Sequence, residues 1–307
     1  MIRYSIVVPV FNEELVIRFT YERLTQVMQG LGEPYELIFV NDGSRDDTYR
    51  ILGELAEADP SVVVLDFARN FGHQIAITAG MDYARGQAIV VIDADLQDPP
   101  ELIVDMIAKW REGYDVVYAK RVERKGETWF KKVSAAMFYR TLQRMSDIEI
   151  PLDTGDFRLI DRQVADQLLA IREKSRFVRG LVSWVGFKQT AVEYVRDERL
   201  YGETKYPLKK MIKLSIDGMT SFSTKPLKIT SYLGVLSSIA GFLYGLYVLY
   251  LKVFTSDTIT GWTSVILIQL FFNGLILLML GIMGEYVGRI HDESKGRPIY
   301  IVRKPRE

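Results

Sequence analysis

Three carboxylates and an amide crowd the end of one apolar run, Ala88-Ile89-Val90-Val91-Ile92-Asp93-Ala94-Asp95-Leu96-Gln97-Asp98-Pro99-Pro100. The β-branched start reads as a buried strand. On an extended backbone, side chains two apart point the same way, so Asp93, Asp95 and Gln97 share one direction. Hard divalent cations such as Mg2+ take oxygen ligands of this kind and complete their shell with substrate phosphates. The prolines forbid further ladder pairing, and Pro100 suits the first turn of a helix from Glu101. Taken alone, the same residues also make an ordinary acidic turn. The elements around them decide between the two.

Residues 1 to about 120 alternate between apolar runs and helical patterns. The runs are Ser5–Val10, Glu36–Val40, Val62–Asp66, Ala88–Asp95 and Asp115–Ala119; Leu15–Gly30, Asp47–Ala58, Gln74–Arg85 and Glu101–Gly113 have helical spacing. Such alternation predicts a parallel sheet with crossover helices. Ligands of open α/β sheets sit beyond the carboxyl ends of the strands. Those ends carry Pro9-Val10-Phe11-Asn12-Glu13-Glu14, Asn41-Asp42-Gly43-Ser44, Phe67-Ala68-Arg69-Asn70-Phe71-Gly72 and Asp93-Ala94-Asp95. Polar and acidic residues gathered at one edge are hard to explain by packing. No G-x-G-x-x-G follows the first strand and no G-x-x-x-x-G-K-[ST] occurs, so a bound nucleotide would be held by carboxylates and a metal. Read singly, Asp42-Gly43-Ser44 is also a plain turn, and Glu13 a first-turn helix acid.

Further on, Trp129–Arg144 reads as a basic amphipathic helix, packed on the domain or lying on a membrane. Asp153-Thr154-Gly155-Asp156-Phe157-Arg158-Leu159 sets an acid beside a glycine before a strand-like run, with a helix near Asp161–Arg172. Lys188–Arg196 alternates like a strand, and Arg199–Tyr206 reads as a loop. Leu208, Met211, Ile212, Ser215, Met219 and Phe222 trace one helical stripe. Then Ile229–Leu251 and Thr258–Gly284 run 23 and 27 residues without a charge. Each is long enough to cross a hydrocarbon core of about 30 Å. Lys and Arg crowd the outer flanks of this pair, whereas the intervening loop has only Lys252 and Asp257. The positive-inside bias then places both termini and the α/β part on the cytoplasmic side of a plasma (inner) membrane.

The totals are less specific. Lys plus Arg and Asp plus Glu number 39 each, so no bulk charge points to nucleic acid. No Cys means no disulfide framework and no thiolate zinc site. The opening residues are too short for a signal-peptide core. His73 and His291 are isolated; His73 in Phe71-Gly72-His73-Gln74 reads first as a helix-start residue, with a place near the site as the alternative, and His291 is assigned nothing.

Pro9-Val10-Phe11-Asn12-Glu13-Glu14, Asn41-Asp42-Gly43-Ser44, Asp93-Ala94-Asp95-Leu96-Gln97, Gly155-Asp156-Phe157-Arg158 and the Arg199 to Lys205 loop together resemble glycosyltransferase family 2. Within it the chain is most similar to the polyprenyl-phosphate glycosyltransferases, relatives of dolichyl-phosphate mannose synthase. The paired C-terminal spans resemble the bacterial undecaprenyl-phosphate glucosyltransferase branch. The resemblance implies an α/β, GT-A (Rossmann-like) domain over 1–206, a juxtamembrane amphipathic helix and linker over 207–228, two transmembrane helices over 229–286 and a basic tail over 287–307. It also implies that Pro9, Phe11, Glu13 and Asp42 line a base and ribose pocket and that Asp93 touches the nucleotide. Asp95 and Gln97 would hold Mg2+ or Mn2+ on the diphosphate. Arg121, Arg199 and Lys205 would contact phosphates, and Asp156 would lie near the reacting sugar. Many mannose synthases carry His after the Gln of this motif, whereas this chain has Asp98, which counts against GDP-mannose as donor.

The expected reaction is inverting transfer of one hexose, glucose first, from a UDP-sugar to a polyprenyl phosphate at the bilayer. Family habit and the glycines in the spans suggest a homo-oligomer, a tetramer among the options. A phosphate monoester, with a second pKa of about 6, is already a nucleophile. Asp156 therefore reads as a positioning or electrostatic residue, with general-base catalysis the competing role. A mannose-synthase-type transfer from GDP-mannose is the nearest alternative. A processive polysaccharide synthase lacks its Q-x-x-R-W here, and a non-catalytic sugar-nucleotide-binding adaptor would not need the acidic cluster.

Overall fold

Every position of the first strand is buried, as expected of a central strand covered on both faces. A computed structural model of the chain describes residues 2–122, 151, 154–195, 223–254 and 261–303. In chain order these form β1 (Tyr4–Val10), α1 (Ile17–Leu31), β2 (Tyr35–Asn41), α2 (Thr48–Ala58), β3 (Val62–Asp66), α3 (His73–Tyr83), β4 (Ala88–Val91), α4 (Leu102–Arg111) and β5 (Val116–Arg121). Then follow β6 (Thr154–Asp161), α5 (Arg162–Ala170), α6 (Val178–Trp184), β7 (Gln189–Tyr194), α7 (Lys225–Phe254) and α8 (Trp262–Ser294). The chain divides into an α/β unit, which includes the tail from Arg297, and a second unit that carries α7 and α8.

In the α/β unit the strand order is β3-β2-β1-β4-β6-β5-β7. Strands β1 to β4 pair in parallel, as expected from the alternating pattern. The sheet as a whole is mixed, however, because β6 runs antiparallel between β4 and β5. The crossover helices obey their apolar spacing. Ile17, Thr20, Leu24 and Met28 form the buried face of α1, and Gly32 ends it at φ 69°, where a side chain would be strained. Gly80 lets α3 lie directly on β1, since a Cβ there would meet Val7 Cγ1 at 2.1 Å.

The strand that carries the acidic motif is shorter than expected. It stops at Val91, and the chain turns through residues 94–98 with Leu96 at φ 54°. Asp95 accepts the Gln97 backbone N–H at 3.2 Å across this turn. Burial nevertheless alternates here: Ala94, Leu96 and Asp98 are buried, while Asp93, Asp95 and Gln97 are half-buried. Helix α6 has no counterpart in the sequence reading. The expected basic helix over 129–144, the loop over 199–206 and the stripe over 208–222 lie outside the described residues.

In the second unit, Lys225–Leu251 and Val265–Ser294 are long and apolar enough to cross a membrane, and none of either span's most apolar window is buried. Leu236, Phe242, Leu270, Phe271 and Leu277 are among the large side chains left exposed. Apolar surface on this scale marks a membrane or a partner rather than water. These helices are therefore candidate membrane spans.

Candidate active site

The parallel register sets which residues share the edge. Val10 pairs with Asn41, and β4 lies on the other side of β1, so Phe11, Asp42 and Asp93 all emerge at the carboxyl ends of adjacent strands. Phe67 follows β3 at the same edge. Strand β6 then returns antiparallel beside β4, with Val91 opposite Arg158. Continuing that register two residues past Val91 sets Asp156 across from Asp93. Like charges in such a position repel unless a cation intervenes.

Cations do intervene. His73 Nε2 lies 3.0 Å from Asp156 Oδ2 and 3.5 Å from Asp93 Oδ1. Arg179 Nε donates to Asp156 Oδ1 at 2.7 Å, and its second nitrogen to Oδ2 at 3.2 Å. Gln74 adds a third donor to Asp156 at 3.1 Å and accepts the Val178 backbone N–H at 2.9 Å, which ties α6 to the cluster. Burial by itself would raise the Asp156 carboxyl; the Arg179 charge and the His73 hydrogen bond reverse this and hold it well below the usual carboxylate range. Burial would lower His73, yet the hydrogen bond to Asp156 and the charges of Asp93 and Asp156 carry it up to about 9. Asp93 is raised to about 6, by burial first and then by Asp156, Asp95 and Asp98, with His73 opposing. Asp156 is thus a fixed, charged, heavily donated carboxylate.

The expected nucleotide residues occupy the neighbouring strand ends. Pro9 is buried within β1, while Phe11 is 37% exposed just beyond it. Glu13 begins the approach to α1, its N–H donating to Thr48 Oγ1 at 2.9 Å. Asp42 is buried, and its carboxylate accepts the Phe71 and Gly72 N–H groups at 2.6 and 3.0 Å. Burial raises the Asp42 carboxyl despite those amides. Arg199 and Lys205 lie outside the described residues.

Arg121 sits in a buried clamp. Its Nε donates to the Tyr194 hydroxyl at 3.0 Å, one of its terminal nitrogens lies 3.7 Å from Asp98 Oδ2, and Tyr194 donates in turn to Asp98 Oδ1. Gly155 packs against this guanidinium, since a Cβ there would come within 2.7 Å of it. The Asp98 side chain is fully buried. It holds Arg121 and Tyr194. Tyr194→Phe is expected to cost about 1–3 kcal/mol by leaving the Asp98 carboxylate without its hydroxyl donor. Urea unfolding of the variant beside wild type measures this.

The reading of His73 as a helix-start residue is incomplete. It does open α3, and its ring also bridges the two acids. Its place after Gly72, at the end of the β3 run, is the signal behind the alternative that it lies near the site. Arg179 had no such signal, because it lies 23 residues from Asp156 on a short helix without a recognisable motif.

Known proteins can now be set beside this geometry. The uncharacterized glycosyltransferase YkcC of Bacillus subtilis (strain 168) is 69% identical to this chain, covering 99% of it and 94% of that protein. The prophage bactoprenol glucosyl transferase homolog of Escherichia coli (strain K12) is 41% identical, covering 98% of this chain and 99% of that protein. The bactoprenol glucosyl transferase of Shigella phage SfV is 40% identical over 99% of both. The sequence profile of glycosyl transferase family 2 matches residues 5–169, which span β1 to α5 and include every carboxylate of the cluster around His73. An acidic strand edge of this composition, in a chain with these relatives, belongs to glycosyl transferase family 2.

Proposed function

We propose that the protein transfers a single hexose, glucose, from a UDP-sugar to a polyprenyl phosphate such as undecaprenyl phosphate, with inversion at the anomeric carbon. The observation that carries this is the bridging of Asp93 and Asp156 by His73 at the strand edge, with Arg179 on Asp156. The names of the bactoprenol glucosyl transferases supply the sugar and the lipid class.

The residues fit a divalent metal. Asp95 and Gln97 are half-buried and offer hard oxygen donors, and Asp93 beside them is raised to about 6, by burial first and then by the neighbouring carboxylates. Among the described residues no three His, Cys, Asp or Glu side chains form a ready cage. Mg2+ and Mn2+ sites commonly use one or two carboxylates plus substrate phosphates. When bound, the ion would act as a Lewis acid on the leaving diphosphate.

The protein side chains do the rest. Phe11, Glu13 and Asp42 would line the base and ribose, and Asp93 would meet the nucleotide. Arg121, with Arg199 and Lys205, would offset the acceptor's charge. Asp156 would steady positive charge that develops at the anomeric carbon. A carboxylate already accepting from Arg179, His73 and Gln74 is a poor proton acceptor, and a phosphate nucleophile needs none. That favours the electrostatic role over general-base catalysis. The candidate spans α7 and α8 would anchor the unit in the membrane that holds the acceptor, with both termini cytoplasmic; a homo-oligomer is consistent with the glycines in the spans.

Purified protein in detergent, given radiolabelled UDP-glucose, undecaprenyl phosphate and Mn2+, should yield label in the organic phase as one sugar per lipid. Label from GDP-mannose alone would replace the donor. A polymer would indicate a processive synthase, and no product with any UDP- or GDP-sugar would sink the proposal.

A further inference from the structure

We infer that the C-terminal strap Tyr300–Arg303 is a positioning element of the nucleotide pocket, acting through the segment that caps Asp42. The inference rests on the reading of Asp42 as a nucleotide residue. The strap belongs to the α/β unit, although in sequence it directly follows α8, after a turn at Gly296 with φ 59°. It lies antiparallel against the end of edge strand β3, bridging Phe67 and Val302. Ala68 N–H donates to the Ile301 carbonyl at 2.9 Å, and Arg303 N–H to the Asp66 carbonyl at 2.7 Å.

Covering an edge strand is a common protective device and accounts for those backbone bonds. It does not account for the side chains. The Tyr300 ring stacks on Phe67 at 5.4 Å and 16°, and Phe67 meets Phe71 edge-on at 5.5 Å. Phe71 and Gly72 are the residues whose amides hold the Asp42 carboxylate. The Tyr300 hydroxyl donates to Asp82 at 2.7 Å, and Asp82 is clamped on its other side by Arg172. Arg303 donates to Asp66 at 3.3 Å and to the Ala68 carbonyl at 3.1 Å. Asp66 in turn accepts from Asn41, the residue before Asp42, at 2.7 Å. Two routes therefore run from the strap to Asp42, one of stacked rings and one of hydrogen bonds. A ligand-contacting residue is only as well placed as the groups that support it.

The test uses the full chain in detergent, with UDP as probe. Tyr300→Leu keeps apolar cover over Phe67 but loses the stack and the bond to Asp82; Tyr300→Phe keeps the stack. Arg303→Ala alters a mostly exposed side chain and leaves the core intact. The Kd for UDP in the presence of Mn2+ should rise about tenfold in Tyr300→Leu and about threefold in Arg303→Ala, and recover in Tyr300→Phe. The KM for the donor should follow the Kd, with kcat within about twofold of wild type. Should Tyr300→Leu fail to fold, Arg303→Ala decides alone. Unchanged UDP affinity in folded Arg303→Ala, or equal falls in kcat and kcat/KM with KM unmoved, overturns the inference. Wild type that does not bind UDP at all would instead sink the nucleotide reading of the pocket, which separates the two failures.

Discussion

Asp95→Ala should abolish sugar transfer while leaving the protein folded and bound to membranes. Asp95 is half-buried in a turn, where it accepts the Gln97 N–H. Removing such a carboxylate costs about 1 kcal/mol or less in stability. Its proposed work is done only when a metal and a diphosphate are present. Loss of a group that stabilises charge on a leaving diphosphate typically costs about 10^2–10^3-fold or more in kcat. Single-turnover transfer, thermal unfolding and flotation with liposomes together separate chemistry from folding. Wild-type transfer by the variant would refute the metal role. Loss of transfer with loss of fold would mean that the turn itself, not its chemistry, had been broken.

Asp156→Asn should act on both stability and rate. The amide keeps the shape of the side chain but leaves Arg179 without the Asp156 anion and His73 with only Asp93, 3.5 Å away. Breaking one side of such a pair typically costs about 3–5 kcal/mol. The pH dependence fixes the sign. His73 titrates at about 9 in the fold, above its unfolded value, so its contribution is complete below about pH 6.5 and is lost as pH rises through about 9. Asp156 is depressed, so its contribution is present above its unfolded value near 3.9 and is lost as pH falls through its folded one. Asp93, raised to about 6, works against stability once it ionises, which blunts the acid side. Wild type should therefore lose stability between about pH 7 and about pH 9.5. Asp156→Asn should be less stable throughout and flatter over that range. With only His73 and His291 in the chain, histidine resonances can follow the change directly. The one that titrates near 9 should move down in the variant. In kcat the expected loss is about 10^3-fold. A histidine that keeps its high pKa in Asp156→Asn would show that the pairing is not what holds the charge.

Much of the α/β unit was legible from its hydrophobic pattern. Val62–Asp66 was placed to the residue, and α1 to α4 to within about three. Such patterns survive because apolar periodicity is local and each element must bury its own face. The acidic motif was legible for a related reason: alternating burial at Asp93, Asp95 and Gln97 persists even where Leu96 leaves the extended region. The contacts that Asp98 makes are not legible in the sequence, for the opposite reason. Its role depends on Tyr194, 96 residues away, and no local pattern carries that distance.

The sequence by itself determined most of the elements, α6 excepted, together with the acidic edge and the two long apolar helices, because each of these is written in residues close together in the chain. Only tertiary structure decided the direction of β6. Nothing in Thr154–Asp161 says whether that strand enters parallel or antiparallel, since side-chain alternation is the same either way. Entering antiparallel beside β4, it sets Asp156 against Asp93. Among the described residues that repulsion is offset by His73 from the start of α3 and Arg179 from α6, with Gln74 adding a hydrogen bond. Charges act through space and ignore sequence separation, so the cluster becomes visible only when the strands are laid side by side.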